Sequence, residues 1–188
     1  MDRIILASAS PRRKQLLEWA EIPFEVLPSE AEELIPFGMP LSEIPEFLAS
    51  QKAALVRKQV AEEKTILAAD TIVVLDGEVL GKPMDREDAI RMLTLLSGRE
   101  HEVITGVSLT RAKKEILFSE NTRVRFHPLS QAGIAYYVDR YLPYDKAGAY
   151  AIQEWIGVIG IQSIDGDFYN VMGLPVSRVM QELGNLWV

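Results

Sequence analysis

The ten residues from Ile66 to Leu75 are apolar apart from Asp70 and Thr71, and they run straight into Asp76-Gly77 and then Glu78-Val79-Leu80. A run this apolar reads as a strand buried on both faces. Asp-Gly is a two-residue hairpin turn, because both positions tolerate positive φ. The chain therefore needs a covered sheet with at least one antiparallel pair. Its opening asks for something different. Ile4 to Ala7 is a short β-prone run, and Ser10-Pro11 is a helix start, with Ser at the N-cap and Pro at the first helical position. Strand–loop–helix alone would predict a parallel sheet. Combined with hairpins it predicts an α/β fold: a mixed β-sheet with flanking helices.

The remaining elements follow from periodicity and punctuation. The first helix runs to Ala20 and fades before Pro23, and Phe24 to Leu27 is a strand. Glu30 to Pro40 reads as an acidic loop. Ser42 to Val60 is a helix with Ile44, Phe47, Leu48 and Leu55 on one face, and Pro45 is tolerated in its first turn. Asp85 caps a helix bearing Ala89, Met92, Leu93 and Leu96, which stops at Gly98. Glu102 to Leu109 and Ile116 to Phe126 are strands joined around Lys113-Lys114. A helix spans Ser130 to Val138, and Pro143 to Ala151 is loop-like. Gly157 to Ile164 and Phe168 to Met172 flank a turn at Asp165-Gly166-Asp167. Pro175 to Leu183 is a closing helix. No repeat or long linker interrupts the 188 residues, which read as one domain over 1–188.

Composition narrows the chemistry. With no cysteine, thiol catalysis, disulfides and Cys-ligated metals are excluded, and two histidines, His101 and His127, lie too far apart in sequence to suggest a metal site. A net charge of −7 argues against a nucleic-acid or anionic-membrane partner, which would need a basic face. The longest apolar stretch, Trp155 to Ile161, is far short of the ~20 residues of a membrane span. Met1 to Ala7 is too short for a secretory signal, so a soluble, cytoplasmic protein is expected. A few local cations could still hold a small anion.

Such cations exist. Arg12 and Arg13 occupy the first turn of the first helix, where the dipole disfavours positive charge. An anion docked on the unpaired N–H groups there would reverse that balance, since guanidinium matches phosphate oxygens bidentately. The alternative is a Ser-Pro cap with two solvated arginines. Asp70 is a carboxylate within an apolar strand and must be neutralised, paired or metal-bound, unless it simply reaches solvent at the strand end. In a regular hairpin Leu75 faces Glu78, Val73 faces Leu80 and Thr71 faces Lys82, which brings Lys82 beside the Asp70-Thr71 segment. Regular pairing puts Asp70 and Lys82 on opposite faces, although a bulge at Gly81 would re-aim the lysine. Lys52 lies on or beside the apolar stripe of its helix and is expected to snorkel to water. From Tyr144 to Gln153, small residues alternate with aromatics and an Asp-Lys pair. Gln153 offers a donor and an acceptor suited to a nucleobase edge, the alternative being a packed loop. Four cations and the carboxylates Glu33 and Asp70 would suit a polyphosphate bound with a divalent metal.

Leu6-Ala7-Ser8-Ala9-Ser10-Pro11-Arg12-Arg13 resembles the opening signature of the Maf family of nucleoside triphosphate pyrophosphatases. The resemblance recurs at Ala69-Asp70-Thr71, Gly81-Lys82-Pro83, Leu96-Ser97-Gly98 and Asp145-Lys146-Ala147-Gly148-Ala149-Tyr150. It continues from Asp165-Gly166-Asp167-Phe168 through Tyr169-Asn170-Val171-Met172-Gly173-Leu174-Pro175. It implies two lobes around a central cleft, a fold similar to inosine-triphosphate pyrophosphatases, and usually a homodimer. It also implies divalent-cation-dependent (Mg²⁺ or Mn²⁺) hydrolysis of a nucleoside triphosphate to the monophosphate and pyrophosphate. By position, Ser8, Arg13, Lys52 and Lys82 would hold phosphates. Glu33 and Asp70 would serve the metal and the attacking water, with Asp70 the proton acceptor. Arg12, Thr71 and Gln153 match the branch similar to dTTP/UTP pyrophosphatases and would set specificity. Glu154 departs from the family's usual Gly and adds negative charge near the implied base site. Two other roles stay open: a house-cleaning hydrolase of modified nucleotides, and a nucleotide-sensing regulator of cell division.

Overall fold

The computed structural model of the chain, which describes residues 3–29 and 34–186, contains both the parallel opening and the hairpin. Strand β1 (Ile4–Leu6) pairs in parallel with β2 (Phe24–Val26) and with β3 (Ile66–Leu75), so that Leu6 lies beside Val26 and Leu67. β3 turns at Asp76-Gly77, both at positive φ, into the antiparallel β4 (Glu78–Leu80), with Leu75 opposite Glu78 and Val73 opposite Leu80. The expected register holds to that point, but the Thr71–Lys82 pairing does not form. β4 ends at Leu80, and the Gly81 carbonyl accepts instead from the Gly148 N–H at 3.0 Å. Strands β5 (Glu100–Arg111), β6 (Lys114–Phe126) and β7 (Ile161–Asp165) complete a seven-stranded mixed sheet of order β2-β1-β3-β5-β6-β7, with β4 on β3. The β5–β6 turn is Ala112-Lys113, one residue earlier than expected, with Ala112 at φ 50°.

The helices are α1 (Pro11–Trp19), α2 (Ile44–Arg57), α3 (Arg86–Leu96), α4 (Gln131–Tyr141), α5 (Trp155–Gly160), α6 (Phe168–Met172) and α7 (Val176–Leu186). Side-chain caps start α1, α3 and α4: the Arg13 N–H donates to Ser10, Asp88 N–H to Asp85 and Gly133 N–H to Ser130. Two segments around the Asp165-Gly166-Asp167 turn are helical. Trp155–Gly160 is a helix in which the Gly157 and Val158 N–H groups turn back to the Glu154 carbonyl. Gly157 makes this helix possible, since a Cβ there would stand 1.8 Å from the Ile152 carbonyl oxygen. Phe168–Met172 is also a helix, entered where the Asp167 carboxylate accepts from the Tyr169 N–H at 2.8 Å.

The chain divides into two units, each discontinuous in sequence. The first comprises the residues up to Thr71, Thr105–Glu120 and those from Gly173 onward. Its core sets Ile5 and Ala7 of the β1 segment and Ile66 and Ala68 of β3 against Ala53 and Val56 of α2. Alternate strand residues share a face, and three of these six are alanines, so the helix lies close to the sheet. Gly106 brings it closer still. A Cβ there would lie 2.2 Å from the Pro45 and Glu46 backbone, so α2's first turn rests directly on β5. The second unit, Ile72–Ile104 and Asn121–Met172, is built on Met92, Leu93 and Leu96 of α3, Ile134, Tyr137 and Val138 of α4, and the aromatic group His101, Phe126 and Tyr150.

Candidate functional site

β1 stops at Leu6 and the chain turns off through Ser8 and Ser10 into α1, whereas β3 continues past Leu67, the last residue it pairs with β1. Asp70 and Thr71 therefore lie beyond the carboxyl end of β1. That is the end of an open α/β sheet where ligands bind, because the strand-to-helix loops and helix N-termini face it.

Arg13 is pinned at this end. Its Nε donates to the Gly173 carbonyl at 2.8 Å, Nη1 to Ser8 Oγ at 3.1 Å and Nη2 to Thr71 Oγ1 at 3.1 Å. Ser8 Oγ also accepts from the Ser10 N–H at 3.2 Å, so both its lone pairs are engaged and it has its hydrogen left to donate. Thr71 Oγ1 is in turn 2.9 Å from Thr105 Oγ1, and Thr105 is fully buried. Sequence reasoning misses Thr105 and the Gly173 carbonyl, since a threonine inside an apolar strand carries no local signal of its partner. α1's first turn contains no acidic residue, and Arg12 is half-buried. The contacts with Gly173, Ser8 and Thr71 fix the guanidinium of Arg13 at the N-terminus of α1.

Asp70 is paired, and with Lys52, not with Lys82. Ile66, Ala68 and Asp70 share the face of β3 that packs on α2, and Lys52 precedes Ala53 on that helix. The Lys52 ammonium turns inward to Asp70 Oδ1 at 2.5 Å instead of snorkelling to water, with the side chains only 14% and 12% exposed. Close seating of α2 over the small residues Ala7, Ala68 and Gly106 makes that reach possible. The strand's alternation sends Thr71 to the opposite face, toward Arg13. The two charged contacts thus arise from adjacent residues of one strand, and Ser8, Arg13, Lys52, Asp70 and Thr71 all belong to the first unit.

The other expected site residues fall elsewhere. Lys82 lies in the second unit, exposed in the loop after β4. Gln153 is in the same unit, half-buried, and its buried Oε1 accepts no hydrogen bond among the described residues. Glu33 lies outside the described residues. The negative charge of Glu154 is countered: its carboxylate accepts from the Tyr137 hydroxyl and lies 3.6 Å from Lys146 Nζ. His101 bonds through Nε2 to the Tyr150 hydroxyl at 2.7 Å, and burial lowers its pKa to about 4. Burial also raises Tyr150 well above the ordinary phenol value. Among the described residues no three Asp, Glu or His side chains gather as metal ligands. Among the described residues, Asp70 is the carboxylate that the first unit's site offers. That suits Mg²⁺ or Mn²⁺, which keep few protein ligands and take the rest from phosphates and water.

Comparison with known proteins agrees in one direction. The sequence model of the family described as "Maf-like protein" matches residues 3–186. The chain is 50% identical over 185 residues to a dTTP/UTP pyrophosphatase of Porphyromonas gingivalis, covering 96% of this chain and 92% of that one. It is 47% identical over 186 residues to a protein of the same name in Bacteroides fragilis (98% and 96% covered). A third, from Cytophaga hutchinsonii, is 50% identical over 184 residues (98% and 84% covered). Among solved structures the chain is similar to the Staphylococcus aureus Ham1 protein, with a TM-score of 0.46 and 16% identity over 66% of this chain and 72% of that one. No helix among the described residues is long and apolar enough to cross a membrane.

Proposed function

The chain belongs to the Maf-like protein family, and from that premise we propose that it hydrolyses nucleoside triphosphates, dTTP and UTP foremost, to the monophosphate and pyrophosphate. The relatives that carry that activity in their names are 47–50% identical over nearly the whole chain. The observation that carries the reading is Arg13, held by Ser8, Thr71 and the Gly173 carbonyl at the N-terminus of α1.

A triphosphate repels any attacking oxygen until its charge is offset, so positioned cations account for much of the catalysis. Arg13 and the α1 N–H groups bind phosphate oxygens, and Ser8 donates its remaining hydrogen to another. Lys52 has three N–H donors, enough to hold Asp70 and a phosphate oxygen together. By resemblance alone, Lys82 would supply a further phosphate contact. Asp70 Oδ1 is engaged by Lys52, which leaves Oδ2 to orient the water that attacks the α-phosphorus. Asp70 takes the water's proton, and pyrophosphate leaves as the P–O bond breaks. Asp70 and, by resemblance, Glu33 would hold a Mg²⁺ or Mn²⁺ ion, which supplies charge screening and acidifies bound water. By resemblance, Arg12, Thr71 and Gln153 would set the base preference. The free acceptor of Gln153 supports its share of that role.

The test is hydrolysis of all common nucleoside triphosphates, with modified nucleotides included, in Mg²⁺ and in Mn²⁺, scoring pyrophosphate against orthophosphate. Pyrophosphate release with dTTP and UTP preferred is expected. Orthophosphate release, or no turnover of any triphosphate with either metal, would overturn the reading. A cytoplasmic homodimer belongs to the same proposal, and sedimentation of the purified protein tests the dimer.

A further inference from the structure

Gln153 sits in a tight turn, closed by the Glu154 N–H donating to the Ala151 carbonyl at 3.1 Å. Both ends of that turn are tied to one atom. The Ala151 N–H donates to the Tyr137 hydroxyl oxygen at 3.2 Å, and the same hydroxyl donates to Glu154 Oε2. Tyr137 is fully buried in α4 and cannot follow the turn if it moves. An amide, a hydroxyl and a carboxylate in series polarise one another, so each bond strengthens the next. Lys146 lies 3.6 Å from Glu154 Oε1 and 2.8 Å from Asp145, and keeps the carboxylate from standing as an unanswered charge. On the far side, α5 starts directly against the turn. The Gly157 N–H donates to the Glu154 carbonyl at 2.9 Å, and there is no room for a Cβ at Gly157. The backbone around Gln153 is thus held from the α4 side and the α5 side, while its Oε1 is buried with nothing bonded to it among the described residues.

We propose that Tyr137 and Glu154 are positioning residues for nucleobase selection: the Tyr137 hydroxyl staples residues 151 and 154 and thereby fixes the amide of Gln153 where it reads the base. The inference rests on the proposed role of Gln153. It gives Glu154, which replaces the family's usual glycine, a function that its charge alone does not suggest. A side-chain amide discriminates by presenting a donor and an acceptor in fixed places, and a turn free to shift by even an ångström would blur the two.

The experiment measures kcat/KM for dTTP and for GTP, and inhibition by inorganic pyrophosphate, in the intact chain and in Tyr137→Phe, Glu154→Ala, Glu154→Gln, Gln153→Ala and the Tyr137→Phe/Gln153→Ala double variant. Tyr137→Phe and Glu154→Ala are expected to lower the dTTP-to-GTP ratio by about three- to tenfold, the size of one lost hydrogen bond. Pyrophosphate inhibition should stay within about twofold of the unaltered chain. Glu154→Gln keeps an acceptor for the hydroxyl and should recover most of the ratio. In the double variant the tyrosine change should add nothing to the ratio, because its effect passes through Gln153. Equal losses for dTTP and GTP in both Tyr137→Phe and Glu154→Ala would mark a purely structural role and overturn the inference. Should Tyr137→Phe fail to fold, the Glu154 pair decides alone. An unchanged ratio in Gln153→Ala would overturn the base-reading role itself, and this inference with it. A changed ratio there, with wild-type ratios in Tyr137→Phe and Glu154→Ala, would overturn only the staple.

Discussion

Lys52 Nζ lies 2.5 Å from Asp70 Oδ1, a helix-to-strand ion pair with both side chains largely out of water. The lysine fixes which carboxylate oxygen is occupied, and so which one is left for water. Asp70→Asn keeps an acceptor for Lys52 but cannot take a proton. It should lower kcat by about 10²–10⁴-fold, the usual contribution of a positioned base. Its thermal midpoint should fall by only a few degrees, since the lysine retains a partner. Near-normal turnover by this variant in a steady-state assay would end the assignment of Asp70.

Local chemistry makes the hairpin legible in the sequence: Asp76-Gly77 sets the turn, and the pairs Leu75–Glu78 and Val73–Leu80 follow by counting. The start of α1 is legible for the same reason, because Ser10 and Pro11 act within one turn. The Lys52–Asp70 contact is not. It joins positions 18 residues apart through the seating of α2 on the sheet, and that seating depends on what Gly106 lacks. α5 escapes a reading by periodicity because Trp155 to Ile161 is apolar on every side and so shows no helical period. Arg13 stands out in the sequence as a cation at the wrong end of a helix, but Gly173, which it contacts, and Thr105, which backs Thr71, lie far along the chain and leave no mark near it.

Gly106→Ala tests the seating of α2. A methyl group there would meet the backbone of Pro45 and Glu46, which cannot rotate away as a side chain would. The helix must lift, and overpacking of this kind costs about 1–3 kcal/mol. Denaturant unfolding should show that loss. Turnover at a temperature where the variant is still folded should fall as well, because Lys52 moves with α2. A variant as stable and as active as the unaltered chain would show that α2 does not depend on this contact.

Arg13 donates to three neutral oxygens on three separate segments of the chain. Arg13→Ala removes a charge-assisted phosphate contact, worth about 1.5–3 kcal/mol, and should raise KM for every nucleoside triphosphate by roughly 10- to 100-fold. Arg13→Lys restores the charge but not the fork, so it should recover only part of the loss. Calorimetric titration with a non-hydrolysable triphosphate measures the affinity directly. Unaltered binding in Arg13→Ala would count against the phosphate role.

His101 predicts how the protein responds to acid. Its ring is buried, bonded to Tyr150 and stacked 5.7 Å from Phe126, and burial lowers its pKa from 6.5 to about 4. In the unfolded chain the ring takes up a proton as the pH falls below 6.5, while in the folded chain it stays neutral until about 4. The unfolded state therefore binds more protons across that window. The contribution is fully present above pH 6.5 and is lost progressively as the pH drops toward 4. At about 1.4 kcal/mol per pKa unit the loss is on the order of 3 kcal/mol. His101→Gln can keep a partner for the Tyr150 hydroxyl without titrating, so its stability should decline less steeply over the same range. Urea unfolding at several pH values between 4 and 7 measures both slopes, and parallel curves for the two proteins would remove His101 as the source of the acid sensitivity.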